Sequence, residues 1–147
     1  MSPTPTSWKC PKCGRRFVRA RQAHSCQVVP LRTHLDKGSP LARRIYDIVI
    51  KALRRCGPLQ VVPTKTGINL LSRTSLGGIT LHRAHVNLGL VLTRRLADRR
   101  VAGMLQISPR TFVHRLRLTS VADVDHDVRR WLREAHRVGM LAGRRVR

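Results

Sequence analysis

The spacing of apolar residues changes twice along the chain, and these changes constrain the fold more than any other feature. Across residues 39–57, Leu, Ile, Val and Ala recur every three or four positions, as in an amphipathic helix. Across residues 59–92 the repeat shortens to two, which predicts short strands. The helical spacing returns over residues 124–138. This order predicts an α+β fold in which helices pack on one face of a mostly antiparallel sheet.

Capping residues set the limits of the two predicted helices. Ser39 can cap the first helix, Pro40 suits its first position, and the Gly57-Pro58 pair ends it. The second helix begins with three acids, which the positive end of a helix dipole favours: Asp123, Asp125 and Asp127. It is predicted to end at Gly139.

The region between the helices is predicted to form a four-stranded sheet. The segments LQVVP and INLLSR are strand candidates, and SLGG, at residues 75–78, predicts a turn. ITLHR and VNLGLVL predict a hairpin around residues 83–85. TRRLADRR, at residues 93–100, is interpreted as an arginine-rich connection with moderate helical character, and TFVHRLRL as the last strand.

These patterns divide the chain into five parts. Residues 1–7 form a polar start that is expected to be disordered. Residues 8–26 contain a cluster of cysteine and histidine, and residues 27–38, broken by proline and glycine, are expected to be a linker. The α+β domain then covers residues 39–139, and residues 140–147 are a basic tail.

Three cysteines and a histidine near the N-terminus have the spacing of a metal site. WKCPKCGRRFVRARQAHSC begins with Cys-x2-Cys, a turn in which two thiolates face one ion, and ends with His-x-Cys, whose side chains share one side of an extended segment. The predicted ligands of a tetrahedral Zn²⁺ are Cys10, Cys13, His24 and Cys26. Because protein side chains fill all four positions, this zinc would be structural, with no place for a catalytic water.

Alternatives remain for these residues. The cysteines could be free or disulfide-bonded, although a cytoplasmic chain disfavours disulfides and a disulfide leaves His24 without a role. His34 could replace one ligand, but it lies beyond Pro30 and is the weaker candidate. Cys56, at the end of the first helix, is expected to be a small buried residue.

The charge of the chain is strongly one-sided. Lysine and arginine total 30 against 7 acids, which gives a net charge of +23. No acid precedes Asp36, and none lies between Asp47 and Asp98. A field of one sign attracts polyanions, of which nucleic acid is the commonest in a cytoplasm. A general preference for arginine over lysine is the alternative source of part of this charge.

The loop between the paired metal ligands adds cations and no acid. On a loop stiffened by zinc, we expect four arginines to contact phosphate groups: Arg15, Arg16, Arg19 and Arg21. An arginine-rich surface loop that binds nothing is the alternative.

Several segments carry a resemblance to a known family. They are WKCPKCGRRF with QAHSC, GPLQVVPTKTGI, and SPRTFVHRLRL with DVDHDVRRWLREAH. Together they resemble, over nearly the whole chain, an uncharacterised bacterial family described as domain of unknown function 5655. The resemblance implies a fold unit with a fused zinc-ribbon-like module and implies no activity. Its matching segments nominate Lys65, Arg110 and His114 for a shared anion pocket.

Each nominated residue also has a simpler interpretation. Lys65 can be an ordinary turn lysine, and Arg110 can bond nearby carbonyl groups. His114 has the strand parity of Phe112 and Leu116, which favours a core histidine with satisfied hydrogen bonds over a ligand or a base.

The sequence favours a non-catalytic, zinc-stabilised protein that binds DNA or RNA mainly through phosphate contacts. It contains no P-loop, no GxSxG motif and no clustered carboxylates in the sheet region. A protein-binding adaptor is one alternative, and an enzyme or small-anion-binding domain with a pocket near Lys65, Arg110 and His114 is another. No apolar run is long enough to span a bilayer and no signal peptide is present, so we expect a cytoplasmic protein without a membrane partner.

Overall fold

The described chain, residues 8–11, 16–17 and 29–141 of a computed structural model, contains helices and two antiparallel sheets. The small sheet pairs β1 (Trp8–Lys9) with β2 (Arg16–Phe17). The helices are α1 (Leu31–Leu35), α2 (Pro40–Cys56) and α3 (His126–Leu141). The strands of the main sheet are β3 (Gln60–Pro63), β4 (Ile68–Leu71), β5 (Ser75–Leu81), β6 (Val86–Leu92), β7 (Val101–Ser108) and β8 (Thr111–Leu118).

The main sheet has six strands in the order β3-β4-β5-β6-β8-β7, and every neighbouring pair is antiparallel. The predicted α+β class is therefore confirmed, and the predicted number of four strands is wrong. The sequence SLGG lies inside β5 and is not a turn. Residues 93–100 contain no helix, contrary to their predicted helical character, and they lead into β7, which the apolar spacing did not predict.

Glycine at position 77 explains why SLGG is part of a strand. Gly77 has φ of 156°, and a Cβ atom at this position would collide with the carbonyl oxygen of Gly89. The pairing of β4 with β5 also shifts register between Leu70 and Leu71. A residue without a side chain at position 77 therefore lets β5 approach β6 closely next to this irregular pairing.

The limits of α2 follow the predicted capping residues, whereas those of α3 do not. The Ser39 hydroxyl accepts a hydrogen bond from the Ala42 amide at 3.1 Å, and Pro40 is the first residue of α2. This helix ends before Gly57, whose φ is 143°. At the other end of the domain a 3₁₀ turn (Val121–Asp123) precedes α3, so the helix begins three residues later than Asp123 and runs past the predicted stop.

One face of the main sheet is buried beneath α2 and α3. Its strands point alternate side chains at the helices, and the largest fully buried ones include Leu70, Ile79, Leu88, Leu116 and Leu118. Apolar burial of this kind supplies most of the driving force for folding. The residues between them in each strand lie on the opposite face, called here the open face.

Part of the expected linker belongs to the packed domain. Residues 31–35 form α1, and Leu31 and Leu35 pack against the core. His34 is buried and its Nε2 donates a hydrogen bond to the Thr64 carbonyl at 2.6 Å. The folded unit therefore begins before Ser39.

Candidate functional site

Nearly all of the acidic side chains form ion pairs with arginine. Within the part of the chain that the structure describes, six of the seven acids form ion pairs, each with an arginine. The pairs are Asp36–Arg43, Glu134–Arg94, Asp123–Arg99, Asp98–Arg100, Asp125–Arg100 and Asp127–Arg130. None of the seven acids lies in a strand of the main sheet. The other arginines in the described ranges therefore have no carboxylate partner there.

Arg100 shows what a structural arginine looks like in this fold. Its side chain is 5% exposed, and its Nε and Nη2 donate to the two carboxylate oxygens of Asp98 at 2.8 and 3.0 Å. Its Nη1 reaches Asp125 at 2.8 Å and the Asp123 carbonyl at 2.9 Å. The guanidinium also lies over the Trp131 ring, 5.1 Å from its centre. Arg100 thus ties the start of β7 to the start of α3.

A groove between the C-terminal end of α2 and α3 is lined by arginines that, unlike Arg100, are not held by carboxylates of the described chain. It encloses about 480 Å³. Four arginines line it and define what we call the arginine groove: Arg55, Arg129, Arg133 and Arg137. No described carboxylate forms an ion pair with any of them. A guanidinium has five donors and no acceptor, so this set is suited to binding anions such as phosphate.

The spacing along α3 explains how three of these side chains come together. Arg129, Arg133 and Arg137 are four residues apart, so they share one helix face at steps of about 6 Å. Val128 and Leu132 belong to the buried stripe that faces the core. The fourth arginine, from the last turn of α2, completes the groove from the opposite wall.

The wall of the arginine groove is held by hydrogen bonds and contains no activated nucleophile. His136 is buried, and its Nε2 donates to the Pro58 carbonyl at 2.8 Å, which joins α3 to the residues after α2. The Cys56 thiol donates to the Ala52 carbonyl at 3.4 Å. Burial raises the pKa of Cys56, and nearby Arg133 opposes this only in part, so the reactive thiolate is disfavoured.

The three residues nominated for an anion pocket do not meet. Lys65 lies in the turn between β3 and β4, at one edge of the sheet, whereas Arg110 lies in the turn between β7 and β8, at the other edge. The strand registers place these turns at opposite ends of the strands. His114 is fully buried on the helix-facing side of β8. The structure therefore offers no pocket shared by the three.

His114 is held as a neutral core residue. The Leu96 amide donates a hydrogen bond to its Nε2 at 3.0 Å, which leaves the proton on Nδ1. Burial lowers the pKa of His114 despite backbone carbonyl contributions in the opposite direction. In the described part of the chain, Nδ1 has no hydrogen-bond partner. A buried neutral imidazole of this kind has no access to a phosphate group.

Most of the predicted zinc site lies outside the described residues. Cys10 directly follows β1 and is 3% exposed, and Arg16 lies in β2. Cys13, His24 and Cys26, together with Arg15, Arg19 and Arg21, fall outside the described ranges. Within those ranges no three His, Cys, Asp or Glu side chains are grouped as metal ligands. The four-residue zinc site therefore stays a prediction.

The arginine groove was not predicted from the sequence, although part of its signal is present there. Arginine at positions 129, 133 and 137 is visible as one stripe on a predicted helix. Arg55 is distant in sequence, so only the packing of α2 against α3 shows that it faces this stripe.

Comparison with known proteins assigns the chain to a family. Residues 32–139 match the model of a family described as Domain of unknown function (DUF5655), and the chain belongs to that family. No curated protein and no solved structure matches it. The helices that the structure describes include none long and apolar enough to cross a bilayer.

Proposed function

We propose that the protein is a non-catalytic, zinc-stabilised module that binds DNA or RNA through contacts between its arginines and phosphate groups. The observation that carries this proposal is the arginine groove, in which four guanidinium groups line one surface without a described carboxylate partner. Phosphate contacts of this kind dominate the affinity of proteins for nucleic acid.

The distribution of charge supports the groove as the main contact. Six of the seven acids form ion pairs with arginines outside the groove, and Glu134, which is paired with Arg94, also interacts electrostatically with the groove residue Arg137. The three arginines of α3 advance in steps of about 6 Å, so they can follow one phosphodiester backbone along the helix. Among the described residues, no Phe, Tyr or Trp lines the groove, and the His136 ring is buried, so stacking on bases and sequence-specific binding are not expected.

Salt-dependent binding tests the proposal. Fluorescence anisotropy of the full chain with a short labelled duplex should give micromolar or tighter binding near physiological salt. If each of the four arginines neutralises one phosphate, the slope of log affinity against log salt should be about −3.6. Binding that disappears by about 100 mM salt would contradict the proposal, because only weak, nonspecific attraction behaves in this way.

The zinc part of the proposal rests on the donor set and on the small sheet. Cys10 and Cys13 lie between β1 and β2 along the chain, and these strands pair through Trp8 with Phe17 and Lys9 with Arg16. A hairpin that carries Cys-x2-Cys in its connection is typical of zinc knuckles and ribbons. Cys10, Cys13, His24 and Cys26 would hold the ion, whose chemistry here is structural. The arginines between the ligand pairs would add phosphate contacts.

Chelation separates the zinc module from the rest of the chain. We expect native mass spectrometry to show one zinc ion per chain in the wild type and none in Cys13→Ser. Removal of zinc with EDTA should unfold the N-terminal arm and leave the domain of residues 31–141 folded. Loss of the complete thermal transition in EDTA would contradict this division, and a metal-free wild type would remove zinc from the proposal.

A further inference from the structure

The open face of the main sheet carries a second cavity, separate from the arginine groove. It is a trough of about 840 Å³ that runs across the strands from the β3–β4 turn to β7. The arginine groove lies on α2 and α3, which pack against the other face. The two cavities therefore occupy opposite sides of the domain.

The strand registers show how the trough is built. Asn69 pairs with Gly78, Gly78 with Gly89, and Gly89 with Arg115, so these positions form one row across the sheet. Gly103 continues the row on β7. Neighbouring strands are about 4.8 Å apart, so Asn69 and Arg115 are separated by roughly 14 Å. Between them the floor is bare backbone, and it can contact a flat group directly.

Arg115 supplies the charge of the trough. A Cβ atom on Gly103 would meet Arg115 Nη2 at 3.1 Å, so the guanidinium extends over this glycine. Arg117 lies on the same face two residues further along β8, next to Asn87 of β6. No described carboxylate pairs with either arginine, and the strands of the sheet contain none. Two guanidinium groups on one acid-free face favour an anion with two charges.

The remaining walls are neutral. Asn69 accepts a hydrogen bond from the Ser75 hydroxyl at 3.1 Å, which leaves its amide NH₂ available to donate. Thr80 adds a hydroxyl, while Leu105 and Val113 provide apolar surface near Arg115. Nearby, burial lowers the pKa of His85, with Arg117 and His82 acting in the same direction. The histidine is thus disfavoured as a further cation.

We propose that this trough binds a small organic phosphate of nucleotide size, with the phosphate on Arg115 and a flat ring over Gly78 and Gly89. A phosphate monoester is doubly charged and accepts paired hydrogen bonds from a guanidinium. A flat ring fits a floor without side chains, and the Asn69 amide and Thr80 hydroxyl can bond polar atoms at the edge of the ring. This proposal is independent of the arginine groove.

Nuclear magnetic resonance of the full, ¹⁵N-labelled chain tests it with AMP, adenosine and inorganic phosphate as probes. We expect AMP to shift the amide signals of Gly78, Gly89 and Gly103, and to bind at least tenfold more tightly than adenosine or phosphate. Absence of shifts at these glycines would overturn the proposal. Equal affinity for AMP and phosphate would contradict the role of the ring, and equal affinity for AMP and adenosine would contradict the role of Arg115.

Three variants separate the trough from the arginine groove. Arg115→Gln and Gly89→Val should each weaken AMP binding at least tenfold. A Cβ at position 89 meets its nearest atom at 3.7 Å, so a side chain can begin here in ordinary contact, and valine is a residue that strands favour. Arg133→Gln should leave AMP affinity within twofold of the wild type. AMP binding that persists in Arg115→Gln, or is lost in Arg133→Gln, would contradict the assignment to the trough.

Discussion

Arg100 and the residues of the arginine groove are all arginines, but Arg100 holds parts of the fold together whereas the groove arginines are free to bind a ligand. Arg100 is 5% exposed, and its donors reach two carboxylates and a carbonyl. Arg133 and Arg137 are exposed, and no described carboxylate pairs with them. A buried guanidinium with all its partners inside the protein holds elements together, whereas an exposed and unpaired one keeps its donors for a ligand.

The contrast between Arg100 and the groove arginines shows that net charge alone does not identify a binding surface. The chain carries a charge of +23, but its six acid pairs divide the arginines into those bound internally and those left over. The arginines without a described ion-pair partner indicate a binding surface where the fold brings several of them into one cavity. The substitutions below test this distinction between ion-paired and unpaired arginines.

The largest effect on stability is expected for Arg100→Ala. Removing the guanidinium leaves Asp98 and Asp125 without their partner and takes away the contact with Trp131. Breaking a buried ion pair from one side typically costs about 3 kcal/mol, and the partial exposure of both carboxylates places the value at the lower end of the usual range. Urea unfolding measures it.

Arg133→Ala is the matched control for that measurement. Because Arg133 is exposed and has no ion-pair partner in the described structure, its loss should change the free energy of unfolding by less than about 0.5 kcal/mol. If the two variants were equally stable, the structural role given to Arg100 would be wrong.

Lowering the pH should reduce the free energy of unfolding by a smaller amount, because Asp98 becomes protonated. Hydrogen bonds from Arg100 lower the pKa of this carboxyl from 3.8 to about 2. Because the folded pKa is below the unfolded value, the unfolded chain takes up the proton first as the pH falls. The stabilisation is therefore complete above about pH 5 and is lost as the pH falls from about 4 towards 2.

Urea unfolding near neutral pH and in acid measures this loss. Asp98→Asn should show a weaker decline than the wild type over the same range. An equal decline in both proteins would show that other groups cause the acid sensitivity.

Among the ion-paired arginines, a much smaller effect than that of Arg100→Ala is expected for Arg94→Ala. Arg94 donates two hydrogen bonds to Glu134, at 2.9 and 2.8 Å, but its side chain is 49% exposed. Exposed pairs contribute little, so we expect a loss of about 0.5 kcal/mol that shrinks further in high salt. Thermal unfolding at low and high salt measures it. A loss as large as that of Arg100→Ala would mean that burial does not separate the two classes of arginine.

The sequence predicted α2 and most of α3 because their signals are local, but it did not predict α1, which lies in the expected linker. The Ser39 cap, the stop at Gly57 and the apolar stripes depend on neighbouring residues. β7 was missed because it is an edge strand whose residues do not alternate: Leu105 and Ile107 are 66% and 60% exposed, and only pairing with β8 keeps the segment extended. The Gly77-Gly78 pair suggested a turn, since its need for close approach to Gly89 depends on another strand.

The candidate site could be predicted only in part. The stripe on α3 is present in the sequence, but its pairing with Arg55 depends on how two helices meet. The same limit applies to Lys65, Arg110 and His114, which were nominated together and which the topology separates. Position 115 carries no distinctive signal, because only the register of four strands places Arg115 beside a glycine floor.

A charge-matched binding experiment tests whether the arginine groove is the surface that binds nucleic acid. The variant Arg129→Gln/Arg133→Gln/Arg137→Gln removes three positive charges from the arginine groove. A control in which Arg32, Arg73 and Arg83, all exposed and outside the groove, become Gln removes three charges elsewhere. Duplex affinity is measured against salt for both.

We predict that the groove variant binds at least 100-fold more weakly than the wild type, with a salt slope shallower by about 2.7, whereas the control keeps most of both. If the two variants lose equal affinity, total charge rather than the arginine groove attracts the nucleic acid, and the account is contradicted.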